Sequence, residues 1–456
     1  MVVEGWLARA AAARPQHAAV QTPAGSWSYA ELYAAARSGA SELAGRGARP
    51  EERVAIALPP GLAFAQALHA CLLLGAVAVP LDLRSPPRER ALLAEGATLL
   101  LQEPLRPADA AAAGTSTAGV DGAPGLEHDL DRVAVVIHTS GTTSAPRPIE
   151  LTYGNFLWSA LGSAVALGLD PRERWLCAMP VAHVGGLSIL LRSAIYATTA
   201  VVHERFETDR VLHALREQRV TLVSVVATTL ARLLDAGLAQ PRTLRCALTG
   251  GGPVPSALVQ RAHGAGVPVS LTYGLTEACS QVTTTPAATL ARAPATAGPP
   301  LFCTRVRIEQ APPAASGVGE ILLAGPTVAP ASLRDGWLRT GDQGSIDERG
   351  RLRVSGRKAD TIVSGGENVA PAEVEAVLEA HPDVLEAAVL GRADERWGES
   401  VTAIVVVRPG RAIDGEALRA HCALALAPYK VPKNVTLAAA PLPRTRSGKL
   451  LRRELR

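Results

Sequence analysis

The chain has 456 residues, of which 48% are apolar and 4% aromatic, and its formal net charge is +4. This length exceeds that of one usual domain, so a large body with at least one smaller unit is expected. Because Arg residues are scattered among Asp and Glu and form no stripe, the charge pattern argues against nucleic acid as the main partner. The six cysteines stand far apart without a CxxC pair, which favours buried thiols over zinc or disulfide sites.

The first residues, VVEGWLARAAAARPQHAAV, contain an early Glu and no continuous apolar run. They predict an amphipathic first helix and not a secretion signal, although the Arg and Ala content leaves a transit peptide as an alternative. The longest apolar runs, such as CLLLGAVAVPL, are too short to span a bilayer. We therefore expect a cytoplasmic protein without membrane insertion.

Apolar β-type runs then alternate with helical patterns. The runs are RVAIAL, AVAVPL, AVVIHTSG, WLCAMP, ATTAVVH, TLVSVV and RCALTGGG. This alternation predicts an α/β body with mostly parallel sheets. The stretches Pro104 to Gly125 and Pro286 to Pro300 are rich in Pro, Ala and Gly, and predict surface excursions or linkers.

A different pattern begins near Asp360. AEVEAVLEAHP and EALRAHCALALAPY have helical spacing, whereas EAAVLGR and SVTAIVVVRPG have the composition of strands. The pattern predicts a compact α+β unit of about one hundred residues, a normal domain size. The predicted division is residues 1–359 and residues 360–456.

The stretch HTSGTTSAPRPIE, residues 138–150, follows a predicted strand and offers hydroxyl groups and backbone N–H groups that can converge on anionic oxygens. It contains no GK[ST], so it is not a Walker loop. Taken alone, it is equally compatible with an ordinary Ser/Thr-rich turn.

Three further motifs supply complementary chemistry. YGLTE places an aromatic face, a hydroxyl and a carboxylate at Tyr273, Thr276 and Glu277, which suits a base, a phosphate and a hard divalent cation. RTGDQG places Asp342 where a carboxylate could accept the hydroxyls of a ribose, although a hairpin turn is an alternative. PLPRTRSGKLLRREL carries Lys449, which by itself would be a solvated lysine.

The order and spacing of these four motifs resemble those of the adenylate-forming enzymes. This family includes acyl-CoA synthetases, adenylation domains and luciferases. The resemblance covers nearly the whole chain. It implies a large N-terminal AMP-binding domain with a barrel-like subdomain and a small mobile α+β C-terminal domain. It also implies an acid–thiol ligase that uses ATP, Mg²⁺ and CoA: a carboxylate attacks the α-phosphate to give an acyl-adenylate, and a thiol then takes the acyl group.

Matched motif by motif, the resemblance implies a set of residues for each task. The ATP- and AMP-binding set is Thr139, Ser140, Gly141, Thr142, Thr143, Arg147, Gly250, Gly251, Gly252, Tyr273, Gly274, Thr276, Asp342, Arg357 and Lys449. The catalytic set is Lys449, Thr276, Glu277 and His183, with Glu277 as the Mg²⁺ ligand. Asp360 is the implied hinge, and Gly365 and Gly366 belong to SGGEN, the loop of the thioester half.

The phosphate loop departs from the family pattern at three positions. Ser144 and Pro148 stand where glycines are usual, and Arg147 stands in place of lysine. Arg147 keeps the positive charge, as a rigid fork instead of a point charge. Pro148 lacks an N–H and has a fixed φ, so we expect altered pyrophosphate handling with retained activity.

The segment from Trp175 to His203 is similar to that of aromatic-acid CoA ligases within the family. The similarity implies that His183, Arg192 and Ser224 bind an aromatic dicarboxylic acid. An aliphatic pocket cannot hold the second carboxylate without a partner, which an arginine supplies. The alternatives are a surface position for Arg192 and a core position for His183.

Other assignments stay open at this point. The chain could be another aryl- or acyl-CoA ligase, or a stand-alone adenylation enzyme. The altered phosphate loop also keeps open a module that binds nucleotide or acyl-adenylate without turnover. A homodimer is left open by the sequence.

Overall fold

The computed structural model describes residues 1–106, 127–139, 146–286, 296–310, 317–364, 367–445 and 450–455. These residues form five β-sheets. None of the described helices is both long and apolar enough to cross a membrane.

The first part of the chain builds a five-stranded sheet with helices around it. Its strands lie in the order β6-β4-β5-β8-β9; all neighbours are parallel except β8 and β9, and β1 pairs separately with β7. The elements are β1 (Val2–Glu4), α1 (Trp6–Ala13), β2 (Ala18–Thr22), β3 (Gly25–Ser28), α2 (Tyr29–Gly45), β4 (Arg53–Ile56), α3 (Leu62–Leu74), β5 (Val77–Pro80), α4 (Pro87–Leu93), β6 (Leu99–Leu101), β7 (Glu127–Asp129), β8 (Val133–Thr139), β9 (Arg147–Thr152) and α5 (Tyr153–Leu167).

The second part adds most of an eight-stranded sheet in the order β15-β14-β13-β12-β10-β11-β2-β3. The six strands from β14 to β2 are parallel, and antiparallel strands cover both edges. The elements are β10 (Arg174–Cys177), α6 (Val184–Tyr196), β11 (Thr199–Val202), α7 (Thr208–Glu217), β12 (Leu222–Val225), α8 (Ala227–Asp235), β13 (Cys246–Thr249), α9 (Ser256–Gly264), β14 (Val269–Leu275) and β15 (Ser280–Thr284). The predicted α/β body with mostly parallel sheets is confirmed.

Two helices show why these sequences fold as they do. Every residue of α3 from Phe64 to Leu73 is buried, so this uniformly apolar helix lies inside the core, and Gly75 ends it with a left-handed φ of 76°. In α5, the Thr152 hydroxyl accepts the N–H of Asn155, and the Asn155 side chain accepts the N–H of Thr152. This reciprocal cap starts α5 directly after β9.

A third sheet follows, antiparallel throughout, in the order β16-β17-β18-β19. Its strands are β16 (Arg305–Glu309), β17 (Gly319–Ala324), β18 (Leu338–Ile346) and β19 (Leu352–Arg357). The barrel-like subdomain that the resemblance implies stays a prediction.

The expected linkers need one correction. In the stretch Pro286 to Pro300, residues 287–295 lie outside the described residues, but Thr296 and Gly298 are buried, and Gly298 forms a bridge with Leu352 of β19. The end of this stretch is thus packed against the third sheet and is not a surface excursion. In the stretch Pro104 to Gly125, Leu105 is buried, and residues from 107 onwards lie outside the described residues.

The C-terminal part has an apolar core of its own, formed by side chains such as Ile362, Val389 and Leu418. Strand β23 pairs with β20, β22 and β24, and β20 also pairs with β21. The elements are β20 (Ile362–Ser364), β21 (Glu367–Val369), α10 (Pro371–Glu379), β22 (Val384–Asp394), β23 (Gly398–Val407), α11 (Gly415–Ala425) and β24 (Asn434–Leu437). The predicted boundary at Asp360 falls two residues before this core begins and stays a prediction.

Candidate active site

Strands β8 and β9 form the stem of the predicted phosphate loop. Thr139 ends β8 and pairs with Arg147, which begins β9, and the Thr139 hydroxyl donates to the Arg147 carbonyl at 3.3 Å. The Arg147 side chain is exposed. Ser140, Gly141, Thr142, Thr143 and Ser144 lie outside the described residues, so their contacts with phosphate stay predictions.

Pro148 lies in β9, opposite His138, and not in the loop itself. Strand β9 is at the edge of its sheet, which is where a strand tolerates proline. The proline therefore restricts the stem of the loop. Its effect on pyrophosphate handling stays a prediction.

Tyr273, Asp342 and Arg357 form one hydrogen-bonded group. The Tyr273 hydroxyl donates to Asp342 Oδ2 at 2.7 Å, and Arg357 Nε lies 2.9 Å from Asp342 Oδ1. Burial and the neighbouring Asp342 carboxylate raise the pKa of Tyr273, so the phenol remains a donor. Asp342 lies inside β18, paired with Arg357 of β19, and the alternative of a hairpin turn is wrong. Each carboxylate oxygen keeps acceptor capacity for a ribose hydroxyl.

The predicted glycines beside this group are needed because a side chain would clash with neighbouring backbone or because the backbone has a positive φ. A Cβ on Gly250 would lie 2.7 Å from the Thr272 carbonyl oxygen, and one on Gly274 would lie 1.8 Å from the Ser280 carbonyl oxygen. Gly251 has a φ of 79°, which disfavours other residues. Gly252 follows them at the carboxyl end of β13. The segment Gly250 to Gly252 thereby stays close to β14, which carries Tyr273.

Thr276 and Glu277 lie in the 3₁₀ turn Thr276–Ala278, directly after β14. This turn lies against β9, the strand that leaves the phosphate loop. Among the described residues, the Glu277 carboxylate has no hydrogen-bond or ion-pair partner. One carboxylate beside a phosphate site suits Mg²⁺, which takes one or two carboxylates and completes its shell with phosphate oxygens and water.

Arg192 of α6 is 2% exposed. Its Nη2 donates to the Ser159 hydroxyl at 2.9 Å, and its guanidinium carbon lies 5.6 Å from the centroid of the Trp175 ring. Its Nε is buried and has no hydrogen-bond partner among the described residues, and burial lowers the pKa of the Arg192 guanidinium. No carboxylate among the described residues pairs with it. The alternative of a surface position for Arg192 is wrong.

Trp175 connects Arg192 to Ser224. The indole Nε1–H donates to the Ser224 hydroxyl at 3.0 Å, from β10 to the neighbouring β12. The indole occupies one lone pair of the hydroxyl, and the Ser224 proton has no acceptor among the described residues. The structure therefore brings two of the predicted acid-binding residues together at one tryptophan.

His183 precedes α6, and its side chain is 40% exposed, so the alternative of a core histidine is wrong. Its Nε2 lies 4.0 Å from Asp82 Oδ2. Burial works against ionisation of Asp82, but hydrogen bonds from Arg84 outweigh it and lower the pKa of Asp82. The ionised carboxylate can orient the imidazole. After His183, Gly186 is required because a Cβ there would lie 2.4 Å from the Pro180 carbonyl oxygen.

The C-terminal tail reaches the predicted hinge. Asp360 ends the 3₁₀ turn Lys358–Asp360, and its Oδ2 lies 3.5 Å from Arg452 Nη1. Arg452 Nη2 also binds both oxygens of Glu375, at 2.6 and 2.7 Å. Lys449, Gly365 and Gly366 lie outside the described residues, and their roles stay predictions.

Comparison with known proteins decides the family. The model of the AMP-binding enzyme family matches residues 7–332, and that of the AMP-binding enzyme C-terminal domain matches residues 373–449. The chain belongs to the AMP-binding enzymes.

Several relatives of this AMP-binding enzyme match it over nearly full length. The 2-succinylbenzoate–CoA ligase of Bacillus subtilis (strain 168) is 37% identical over 474 residues, 99% of this chain and 97% of the relative. The solved o-succinylbenzoate CoA synthetase (MenE) of Bacillus subtilis with the acyl-adenylate intermediate OSB-AMP is 35% identical, with a TM-score of 0.89 over 100% of this chain and 98% of that one. The same synthetase in complex with ATP and a magnesium ion gives 34% identity and a TM-score of 0.88, with full coverage of both chains.

Three residues of this AMP-binding enzyme were missed by the sequence analysis: Ser159, Trp175 and Asp82. Each touches a predicted site residue from 33 or more positions away in the chain. Ser159 and Asp82 stand in no motif with their partners, and neither does Trp175 with Ser224. The only available signal was that Trp175 opens the segment that resembles aromatic-acid ligases.

Proposed function

We propose that this AMP-binding enzyme is a 2-succinylbenzoate–CoA ligase (o-succinylbenzoyl-CoA synthetase) of menaquinone biosynthesis. It converts o-succinylbenzoate, ATP and CoA to o-succinylbenzoyl-CoA, AMP and diphosphate. The observation that carries the substrate assignment is Arg192, a buried cation without a carboxylate partner in the described part of the chain. The near full-length similarity to ligases of that name supports it.

The first half-reaction brings two anions together. Attack of a carboxylate on the α-phosphate is opposed by charge repulsion, so preorganised donors and cations must surround the phosphate as charge develops. Thr276 and the backbone of the phosphate loop supply neutral donors, and Glu277 would hold Mg²⁺, which neutralises phosphate charge. Lys449 supplies the ammonium group from the C-terminal tail.

Asp342 holds the nucleotide at its ribose. Tyr273 and Arg357 fix the carboxylate before ATP arrives, so the ribose hydroxyls meet an acceptor that is already oriented. Gly250 to Gly252 leave room for the adenine next to the Tyr273 ring.

At the acyl end, Arg192 and Ser224 bind the second carboxylate of the substrate. A hydrogen bond to a charged group contributes roughly 1.5–3 kcal/mol, whereas a buried charge left unpaired is costly. The pocket therefore favours a dicarboxylic aromatic acid over benzoate. This preference follows from the same rule by which a site that is built to bind a polar group rejects an analogue without it.

The second half-reaction requires a thiol and a route for it. His183, oriented by Asp82, lies where acyl pocket and thiol are expected to meet. A pocket of about 330 Å³ is lined by Trp397, Pro428, Tyr429, Lys433 and Ser364, the first residue of SGGEN. Its aromatic rings and ammonium group suit the base and phosphates of CoA. We assign it to the nucleotide end of CoA after the C-terminal domain has moved about Asp360.

The proposal is tested by measuring AMP release with Mg-ATP, CoA and one acid at a time. The acids are o-succinylbenzoate, benzoate, a fatty acid and an amino acid, and the thioester is identified by mass. We expect o-succinylbenzoyl-CoA and no comparable turnover with the other acids. Thioester formed preferentially from another acid would assign a different ligase. Nucleotide binding without AMP release from any acid would indicate a module that does not turn over.

A further inference from the structure

We propose that Ser159 is a positioning residue that orients Arg192 and links the acyl pocket to the turn that carries Glu277. Ser159 lies on α5 and is 1% exposed. Its hydroxyl receives a hydrogen bond from Arg192 Nη2 at 2.9 Å and donates to the carbonyl oxygen of Cys279 at 2.6 Å. The inference rests on the proposed function, because it assigns Arg192 to the acid.

The two hydrogen bonds define the direction of the hydroxyl. A serine hydroxyl has one proton and two lone pairs. Since the proton points to Cys279, Arg192 meets lone pairs only, and Ser159 acts as an acceptor for the guanidinium. One edge of the planar guanidinium is thereby fixed at Ser159 and one face at Trp175. The buried Nε, which has no hydrogen-bond partner in the described part of the chain, remains free for an incoming carboxylate.

The other end of the link is a backbone in an unfavourable conformation. Cys279 and Ser280 have φ values of 52° and 93°, in the region that favours glycine. Cys279 directly follows the 3₁₀ turn that holds Glu277. Residues in such conformations persist only where the surroundings hold them. Ser159 supplies one of these restraints through the Cys279 carbonyl group.

A carboxylate that binds Arg192 therefore acts on a group connected to the metal-holding turn by two consecutive hydrogen bonds. The consequence is a coupling between the acid and Mg²⁺: removal of the Ser159 hydroxyl should affect both, although Ser159 touches neither. Ser224 also adjoins the acid but has no described contact with the turn, so its removal should affect the acid alone.

The variant Ser159→Ala tests this link in acid-dependent pyrophosphate exchange. We expect the KM for o-succinylbenzoate to rise about tenfold or more, the loss of a hydrogen bond to a charged group, and the half-saturating Mg²⁺ concentration to rise at least about threefold. Ser224→Ala should raise only the KM for the acid. Arg192→Ala should also raise that KM and leave the KM for ATP unchanged, and Ser159→Ala added to it should raise the acid KM by less than about twofold.

Ser163→Ala is the matched control. Ser163 lies one turn further along α5, is equally buried and adjoins Tyr196, and among the described residues it makes no hydrogen bond to Arg192 or to the Cys279 carbonyl group. We expect Ser163→Ala to change neither the KM for the acid nor the half-saturating Mg²⁺ concentration by more than about twofold. Equal melting temperatures for Ser159→Ala and Ser163→Ala would show that both variants are folded.

Each outcome separates the two proposals. An active parent with Ser159→Ala indistinguishable from Ser163→Ala would overturn the positioning role. A rise in the acid KM without a change in the Mg²⁺ requirement would overturn the link to the metal turn. A parent that does not exchange pyrophosphate with o-succinylbenzoate would overturn the proposed function itself.

Discussion

At the scale of single residues, the carboxylate of Asp342 is fixed by donors from two sheets. Tyr273 reaches it from β14 of the eight-stranded sheet, and Arg357 reaches it from β19 of the four-stranded sheet. The nucleotide site therefore depends on the contact between these two sheets. Removal of either donor should raise the KM for ATP more than the KM for the acid.

Tyr273→Phe tests this dependence because it removes one donor and keeps the aromatic ring. We expect the KM for ATP to rise about twofold to thirteenfold, as the loss of a net 0.5–1.5 kcal/mol implies. The KM for the acid, measured at saturating ATP, should remain the same. Tyr33→Phe, in α2, serves as the control. Equal ATP constants for the two variants would show that the phenol does not position Asp342.

The sequence identified many of the site residues singly but few of their contacts. Tyr273, Asp342 and Arg357 stand in recognisable motifs, yet nothing in those motifs indicates that they bond to one another. The hydrogen bonds of Trp175 and Ser159 could not be predicted because their partners, Ser224 and Arg192, are 49 and 33 residues away, and such contacts are made by the fold. The burial of Arg192 also could not be predicted from the residues alone, since a helical arginine is exposed in most proteins.

At the scale of elements, the hairpin of β14 and β15 brings Tyr273 and Glu277 to the same end of the sheet. The register shifts between Tyr273 and Gly274, and the strands approach each other closely at Gly274. Such an irregularity redirects the side chains that follow it. A glycine is needed there because the carbonyl oxygen of Ser280 occupies the space of a Cβ.

Gly274→Ala should destabilise the protein, since the new methyl group would meet backbone that cannot move aside. We expect the free energy of unfolding to fall by about 1–3 kcal/mol, measured as a lower midpoint of unfolding in urea. Gly264→Ala is the control: Gly264 ends α9, its φ is not positive, and a Cβ there meets nothing within 4 Å. That variant should be as stable as the parent, or slightly more so. A Gly274→Ala midpoint equal to the parent's would show that the hairpin adjusts freely.

Elements were predictable where one physical signal dominated. Runs of Val, Ile, Leu and Ala predicted the parallel strands, because strands buried on both faces are continuously apolar. The third sheet was not predicted strand by strand from the residues. In RVRIE, Arg alternates with apolar residues, and the Gly-rich stretches around Asp342 equally suit turns. Packing of Gly298 against β19 likewise left no local signal.

At the scale of the whole molecule, the tail that carries Lys449 is tied to the C-terminal core by charged groups. Arg444 and Leu450, on either side of Lys449, form an isolated antiparallel bridge, and Arg444 pairs with Glu386 at 2.9 Å. Arg452 binds Glu375 and also contacts Asp360. The position of the tail and the conformation of the hinge are thus connected in this structure.

The glutamate pair of α10 gives this region a pH dependence. Burial, with a smaller contribution from the Glu375 carboxylate, raises the pKa of Glu379 from 4.5 to about 7. The folded state therefore holds this proton more tightly than the unfolded state. Its contribution to stability is fully present below about pH 4.5 and is lost as the pH rises through about 7.

Glu379→Gln should abolish the loss of stability that accompanies ionisation of Glu379 as the pH rises. Relative to the parent, we expect the variant to gain about 1–3 kcal/mol of stability at pH 8 and little at pH 4.5. The measurement is the melting temperature of the full chain across this pH range. Glu416→Gln, at an exposed position of α11, is the control. A constant difference between Glu379→Gln and the parent at all pH values would contradict a raised pKa at this position.

The guanidinium beside Trp175 also bears on how the enzyme is assayed. A fixed cation in a confined pocket attracts any small carboxylate in the medium, so acetate or formate buffers should behave as weak competitors of the organic acid. Zwitterionic buffers that lack a carboxylate should not. The apparent affinity for the acid should then vary with the choice of buffer anion, while that for ATP stays constant.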